Sequence, residues 1–144
     1  MWMSYVYFVI KGEFNSETIT EKLGINPDFS WNIGDIRRDK QTKYDVSAWG
    51  IEYYAQEDTP LDGLCLNIVE KLKDKIDQLQ SIKTQYDADF VLELVPYLSF
   101  DYEKSVPGIT FCKEIIDFCS ATETKIDIDI YFDIKRQGDG SIVL

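Results

Sequence analysis

The sequence contains no histidine. Histidine is the commonest general base near neutral pH, and it is a ligand in most zinc and other transition-metal sites. Its absence excludes the usual serine and cysteine triads, which depend on an imidazole. An enzyme would have to rely on carboxylates, lysine, tyrosine or thiols alone, and no catalytic motif of that kind is recognisable. We therefore predict a protein that is not an enzyme and has no catalytic residues, no metal and no cofactor.

Cysteine and proline are also scarce. The three cysteines, Cys65, Cys112 and Cys119, are an odd number without a Cys-x-x-Cys pair. This pattern favours a reduced, cytoplasmic setting in which all three act as small apolar residues. Only four prolines interrupt the chain of 144 residues, and no repeat or low-complexity segment is present. We expect one domain over residues 1–144, with residues 135–144 as a possible C-terminal extension.

Long apolar runs and positive charge are both lacking. The run Tyr5–Ile10 is too short to span a bilayer, and no basic segment precedes it, so no membrane association is predicted. Acidic residues number 26 against 15 basic ones, which gives a formal net charge of −11. Such a charge repels the phosphate backbone and excludes general nucleic-acid binding, whereas it attracts basic proteins.

The apolar residues that are present follow two periodicities. Alternation or enrichment in aromatic and β-branched residues predicts strands in residues 4–14, 43–56, 87–100 and 124–134. Helix-capping residues, or apolar residues spaced three and four positions apart, predict helices in residues 15–24, 59–86 and 109–123. The resulting order, β-α-β-α-β-α-β, predicts an α+β fold with a single sheet of about four strands and helices packed on one face, as in a ferredoxin-like layer. A Gly-Asp-Gly step in the tail could add a further short strand.

A long irregular segment, residues 25–42, contains the basic stretch Trp31–Lys40, "WNIGDIRRDK". The simpler interpretation is a packed connector with solvated arginines. The alternative is a site for a small molecule or an anion, because arginines offer planar forks to anions and tryptophans offer flat faces. The residues of that alternative site are Trp31, Gly34, Asp35, Arg37, Arg38 and Trp49.

The last predicted strand has the strictest alternation in the chain. Ile126, Ile128, Ile130, Phe132 and Ile134 share one face, which we expect to lie in the core. The opposite face carries Asp127, Asp129, Tyr131 and Asp133. Together with Tyr5 and Tyr7 of the first strand, these residues form the predicted partner-binding surface. A flat strand offers too few oxygens for a calcium cage, so a solvated face or an acidic docking surface is favoured over a metal site.

Three segments carry a resemblance to a known family. The stretches "ITEKLGINPDFSWNIGD", "SAWGIE" and "VPGITFCKEIIDFCSATETKIDIDIYF" resemble the bacterial family called domain of unknown function 4279, over roughly residues 5–132. The family's Leu-Gly, Pro, Gly-Asp and Trp positions correspond here to Leu23, Gly24, Pro27, Gly34, Asp35 and Trp49. The resemblance implies a fold and a bacterial context, but no catalytic residues. Small domains of this sort often accompany toxin loci, which implies an immunity-type role by analogy.

We therefore expect a cytoplasmic bacterial binding module that uses its acidic open sheet face to bind a basic protein, such as a toxin domain. A domain that binds a small molecule or an anion at the segment around Trp31 and Trp49 is the alternative. The oligomeric state stays open.

Overall fold

The computed structural model describes residues 3–56, 59–99 and 108–133. The strands are β1 (Tyr5–Gly12), β2 (Phe29–Trp31), β3 (Ser47–Tyr54), β4 (Asp89–Val95), β5 (Tyr97–Ser99), β6 (Lys125–Ile128) and β7 (Tyr131–Asp133). The α-helices are α1 (Ser16–Leu23), α2 (Leu61–Leu72), α3 (Ile76–Tyr86) and α4 (Lys113–Thr122). The predicted α+β class is confirmed.

Five strands form the main sheet in the order β2-β3-β1-β4-β6. Neighbouring strands are antiparallel except β4 and β6, which are parallel, so the sheet is mixed. The sequence predicted about four strands, and the additional one is β2, which lies within the segment predicted to be irregular. The ferredoxin-like arrangement is not confirmed, because one edge of this sheet is a parallel pair.

The strands β4 and β6 both continue beyond a break. Pro96, which has no backbone N–H to donate, separates β4 from β5, and residues Asp129 and Ile130 separate β6 from β7. The pair β5 and β7 is again parallel, with Tyr97 opposite Tyr131. The Asp129 and Tyr131 amides donate to the carbonyls of Leu94 and Pro96 at 2.9 Å, so the hydrogen bonding crosses the break.

The helices cover one face of the sheet, and the core lies between the two layers. Val6, Phe8 and Ile10 of β1 point to this face and are fully buried. Trp49 of β3 joins them, and its indole Nε1 donates to the Thr20 hydroxyl of α1 at 3.0 Å. Burial of four such side chains stabilises the fold by several kcal/mol, at about 1.5–3 kcal/mol for each large apolar side chain.

The first helix begins and ends as its sequence predicts. The Asn15 side chain accepts a hydrogen bond from the Glu17 amide at 2.9 Å, and Gly24 ends the helix at φ 67°. The Ser16 amide donates to the Asn32 side chain at 2.8 Å, which ties the start of α1 to the residues that follow β2.

The predicted long helix over residues 59–86 is broken, which corrects the sequence analysis. A 3₁₀ turn at Lys73–Lys75 separates α2 from α3. The α2 helix packs on β1, β3 and α4, whereas α3 contacts α1 and α4. One straight helix cannot follow both surfaces, so the backbone bends where the contacts change.

The apolar side of the last strand is also less buried than predicted. Ile126 is half-buried, but Ile128, Ile130 and Phe132 are 40%, 46% and 51% exposed. The prediction of a core position is therefore wrong for these three residues. The physical reason is that β6 is an edge strand, while α2 packs over the central strands β1 and β3. Ile134 and the possible strand after Gly-Asp-Gly lie outside the described residues.

Candidate functional site on the open face of the sheet

The sheet face opposite the helices, here called the open face, is defined by the strand register. Tyr7 of β1 lies opposite Glu52 of β3 on one side and Glu93 of β4 on the other. Glu93 in turn lies opposite Asp127 of β6. Because directly paired residues share a face, three carboxylates and one tyrosine form a row that crosses the sheet.

Tyrosine rings lie beside this row. Tyr5 packs against Tyr54 at a ring-centroid distance of 5.3 Å, against Tyr7 at 6.1 Å and against Tyr97 at 6.4 Å. Tyr97 stacks on Tyr131 at 5.0 Å. Five rings from β1, β3, β5 and β7 therefore form one contiguous cluster, and below it Val9 and Val95 are buried to 2% exposure.

Glu93 is the most unusual group on the open face. Its side chain is only 8% exposed, and it is hydrogen-bonded to the Asp127 carboxyl. Two carboxyl groups can form such a bond only if one of them holds a proton. Burial, then the hydrogen bond and the charge of Asp127, and also the charge of Asp129 raise the pKa of Glu93 to about 7, while Lys11 acts in the opposite direction.

The neighbouring carboxylates also affect the pKa values of the tyrosines on this face. Burial, with the charge of Glu93, raises the pKa of Tyr7 to about 12. The neighbouring Asp129 carboxylate, which accepts a hydrogen bond from the Tyr131 hydroxyl at 3.3 Å, raises the pKa of Tyr131. Both phenols therefore stay neutral near neutral pH, and the Tyr131 hydroxyl acts as a hydrogen-bond donor.

The structure brings together five of the six residues predicted for partner binding. Tyr5 and Tyr7 are half-buried, whereas Asp127, Asp129 and Tyr131 are exposed. The backbone of Asp133 pairs with Ser99, but its side chain lies outside the described part of the chain. We call the set Tyr5, Tyr7, Glu93, Tyr97, Asp127, Asp129 and Tyr131 the tyrosine–carboxylate surface.

The predicted alternative site is divided between the two faces. Trp31 lies opposite Ala48, and Ser30 lies opposite Trp49, so the two tryptophans point to opposite sides of the sheet. Trp49 is fully buried under the helices and cannot touch a ligand on the open face. Trp49 therefore does not belong to the predicted site. The physical reason is that Trp31 pairs with Ala48, the residue before Trp49, and successive residues of a strand point to opposite faces.

The basic segment after β2 is a hydrogen-bonded hairpin. The Gly34 amide donates to the Tyr44 carbonyl, and the Tyr44 amide donates to the Asp35 carbonyl, both at 2.9 Å. Gly34 occupies the left-handed region at φ 90°, and the Asp35 carboxylate accepts from the Asn32 amide at 2.8 Å. This order supports the packed-connector interpretation for most of the segment.

The two adjacent arginines differ in their surroundings. The Arg37 guanidinium lies 4.7 Å from the centroid of the Tyr44 ring and 3.7 Å from the Asp45 carboxylate. Arg38 forms no hydrogen bond or ion pair through its guanidinium with any residue that the structure describes. Only Arg38 of the two lines a groove at the β2 edge of the open face.

Two of the three cysteines have the character expected of apolar residues, whereas Cys112 is half-buried and its thiol donates to the Glu114 carboxylate at 2.9 Å. Cys65 and Cys119 are buried, and burial raises the pKa of their thiols to about 12 and about 11. Among residues 3–56, 59–99 and 108–133, no group of three or more cysteine or acidic side chains is placed to hold a metal ion. No helix within these ranges is long and apolar enough to cross a membrane.

The fold and the open face define a small α+β domain with a mixed sheet, one helical layer and one solvent-facing layer of tyrosines and carboxylates. The chain belongs to the family Domain of unknown function (DUF4279), which it matches over residues 3–133. The predicted family membership is confirmed. Comparisons with curated proteins and with solved structures gave no match. The family description assigns no activity, so the residues of the open face carry no inherited roles.

Sequence reasoning missed several residues of the open face. Glu93 was missed because a single polar residue in an alternating strand is expected to face solvent. Tyr97 was missed because it follows Pro96, where the alternation ends. Asp28, Glu52 and Tyr54 gave no sign that they lie near Trp31. A local pattern shows on which side of a strand a residue lies, but only the cross-strand register shows which residues are neighbours.

Proposed function

We propose that this protein is a non-enzymatic binding module whose tyrosine–carboxylate surface docks a basic protein. The observation that carries the proposal is the convergence of Asp127 and Asp129 on one exposed surface around Glu93, with no ion pair to a described basic residue. In the described residues, none of these carboxylates forms an ion pair. A partner that supplies lysine or arginine would satisfy them.

The aromatic part of the surface supports the same partner chemistry. Tyr5, Tyr97 and Tyr131 offer apolar area at low conformational cost, and their rings favour nearby cations. Tyrosine is also enriched in protein interfaces, where the ring is desolvated and the hydroxyl stays hydrogen-bonded. The net charge of −11 steers basic proteins toward the molecule and opposes nucleic acid.

The geometry favours binding over acid–base catalysis. A carboxyl pair with one raised pKa is typical of catalytic sites, but Glu93 is 8% exposed and faces Asp127 rather than a cavity. A groove of about 860 Å³ on the same face is lined by residues of β2, β3 and the hairpin, and by neither member of the pair.

The partner class that we propose is a basic toxin domain, which would make the protein an immunity-type module of the bacterial cytoplasm. The support is charge complementarity, together with the analogy that small domains of this kind often accompany toxin loci. An adjacent toxin gene in the native genome would identify the specific partner to test.

The experiment is affinity capture from the native host, followed by binding measurements on the purified partner. We expect a basic partner whose affinity falls about tenfold or more in the double variant Asp127→Asn/Asp129→Asn, since two partly desolvated charge pairs are lost. The affinity should also weaken as salt concentration rises. The matched control is Asp74→Asn/Asp77→Asn, which removes two exposed carboxylates from the helical layer.

The proposal fails if the captured partner is acidic or binds equally well to both double variants. It also fails if the control lowers the affinity as much as the test variant, because a general charge effect would then explain the binding.

A further inference from the structure

The groove at the β2 edge of the open face is a second candidate site, which adjoins the tyrosine–carboxylate surface through Tyr54 and Phe29. We call it the β2 groove. Its volume is about 860 Å³, within the range of small-molecule sites. The lining residues are Pro27, Asp28, Phe29, Ser30, Trp31, Asp35, Ile36, Arg38, Tyr44, Glu52 and Tyr54.

The walls of the β2 groove are held in place by aromatic packing. Trp31 stacks on Tyr44 at a centroid distance of 4.4 Å and on Phe29 at 5.9 Å, and its indole Nε1 donates to the Val46 carbonyl at 3.0 Å. Phe29 lies directly over Gly50, where a Cβ atom would be 2.0 Å from the ring. The close approach of Phe29 therefore depends on a glycine, and the resulting wall is rigid before any ligand binds.

Both signs of charge line the β2 groove without neutralising each other. The Asp28 carboxylate accepts the Glu52 amide at 2.8 Å, and burial with the charge of Glu52 raises the pKa of Tyr54, so each carboxylate keeps unused acceptor capacity. Asp35 likewise accepts only the Asn32 amide among the described residues. Arg38 is the one basic side chain of the lining, and its charge reaches Tyr54, yet it forms no ion pair with these three carboxylates.

This arrangement selects among ligand classes. The three carboxylates outnumber Arg38, so the lining is net negative and disfavours a simple anion, whereas a simple cation would leave the Arg38 guanidinium without a counter-charge. A ligand with both a carboxylate and an ammonium group matches both parts of the lining. Tyr54, which is 51% exposed, and the edges of the stacked rings would contact its apolar body.

We propose that the β2 groove binds a small zwitterion of the α-amino-acid class. Arg38 receives the carboxylate, the acidic lining formed by Asp28 and Glu52 receives the ammonium group, and the aromatic wall receives the side chain. This proposal narrows the small-molecule or anion site that the sequence suggested around Trp31 and Trp49, without Trp49, and it is independent of the docking function proposed above.

The test is an NMR titration of the ¹⁵N-labelled chain with each of the common L-amino acids at millimolar concentration. Binding should shift the indole N–H resonance of Trp31, whereas that of Trp49, under the helices, serves as an internal reference. For the amino acid that binds most tightly, the carboxamide and the deaminated acid should each bind about tenfold more weakly or worse, since each lacks one charged end.

The matched variants are Arg38→Gln and Lys43→Gln, which remove the same charge from the same hairpin. We expect Arg38→Gln to weaken binding about tenfold or more and Lys43→Gln to change it less than about twofold. The proposal is overturned if no amino acid shifts the Trp31 resonance, if the deaminated acid binds as well as the zwitterion, or if the two variants behave alike.

Discussion

The two faces of the same strands behave differently. On the helix face, Val6, Phe8 and Ile10 of β1 are completely buried, whereas on the open face Tyr5 and Tyr7 are half-buried and border carboxylates. The helix face is therefore a packing surface whose energy comes from area removed from water. The open face combines apolar rings with carboxylates that form no ion pair with a described residue, which is typical of a surface that binds a partner.

The largest expected effect tests this difference by truncating one ring on each face. Phe8→Ala should lower the free energy of unfolding by about 3–5 kcal/mol, because it leaves a cavity among fully buried side chains. Tyr5→Ala should cost about 1–2 kcal/mol, since part of that ring already contacts water. Urea denaturation of both variants provides the measurement. Equal losses would show that the open face is as much a part of the core as the helix face.

The next effect concerns pH. The pKa of Glu93 in the folded state is about 7, above the ordinary value of 4.5 for glutamate, so the folded state holds the proton more tightly than the unfolded chain does. This contribution to stability is complete below pH 4.5 and is lost as pH rises through 7. The free energy of unfolding should therefore fall between these values by on the order of 3 kcal/mol.

Glu93→Gln isolates that contribution, because glutamine is a neutral analogue that cannot release a proton. Urea denaturation at several pH values should show a weaker pH dependence for the variant than for the wild-type chain. Parallel curves for the two proteins would show that Glu93 titrates normally and does not share a proton with Asp127.

A smaller effect sharpens the comparison at the β2 edge. Gly50→Ala places a methyl group where the Phe29 ring lies, and the ring must move, which should cost about 1–3 kcal/mol. Gly63→Ala in α2 is the control, because its nearest contact is 3.8 Å and a helical alanine is favoured over glycine by up to about 1 kcal/mol. Thermal unfolding, with Trp31 fluorescence as a second signal, distinguishes the two. A neutral Gly50→Ala would mean that Phe29 does not lie over this glycine.

Much of the fold follows from local patterns. The alternation of β1 predicts its buried side correctly, and Asn15 and Gly24 mark the ends of α1 as capping residues should. The strand β2 was missed because three residues, surrounded by turn-forming residues, give too short a pattern to recognise. The break between α2 and α3 was missed because the apolar spacing continues through it, and only the change of packing partners shows it.

The candidate sites were less predictable than the fold. The sequence placed the aspartates along β6, but the stronger relation runs across the strands, from Glu93 to Asp127. The sequence analysis also assigned Trp31 and Trp49 to one site. In the structure Trp31 pairs with Ala48, one residue before Trp49, so the two indoles lie on opposite faces of the sheet. Both sites depend on contacts between residues far apart in the chain, which a local pattern does not contain.

The most direct test of the central claim is the titration of the Glu93 side-chain carboxyl by ¹³C NMR, in the wild-type chain and in Asp127→Asn. The account predicts a midpoint near pH 7 in the wild-type chain, because Glu93 is buried against a second carboxyl on the open face. In the variant the midpoint should be lower, since an amide can donate a hydrogen bond to the ionised Glu93. A midpoint near the ordinary value of 4.5 in both proteins would contradict the account.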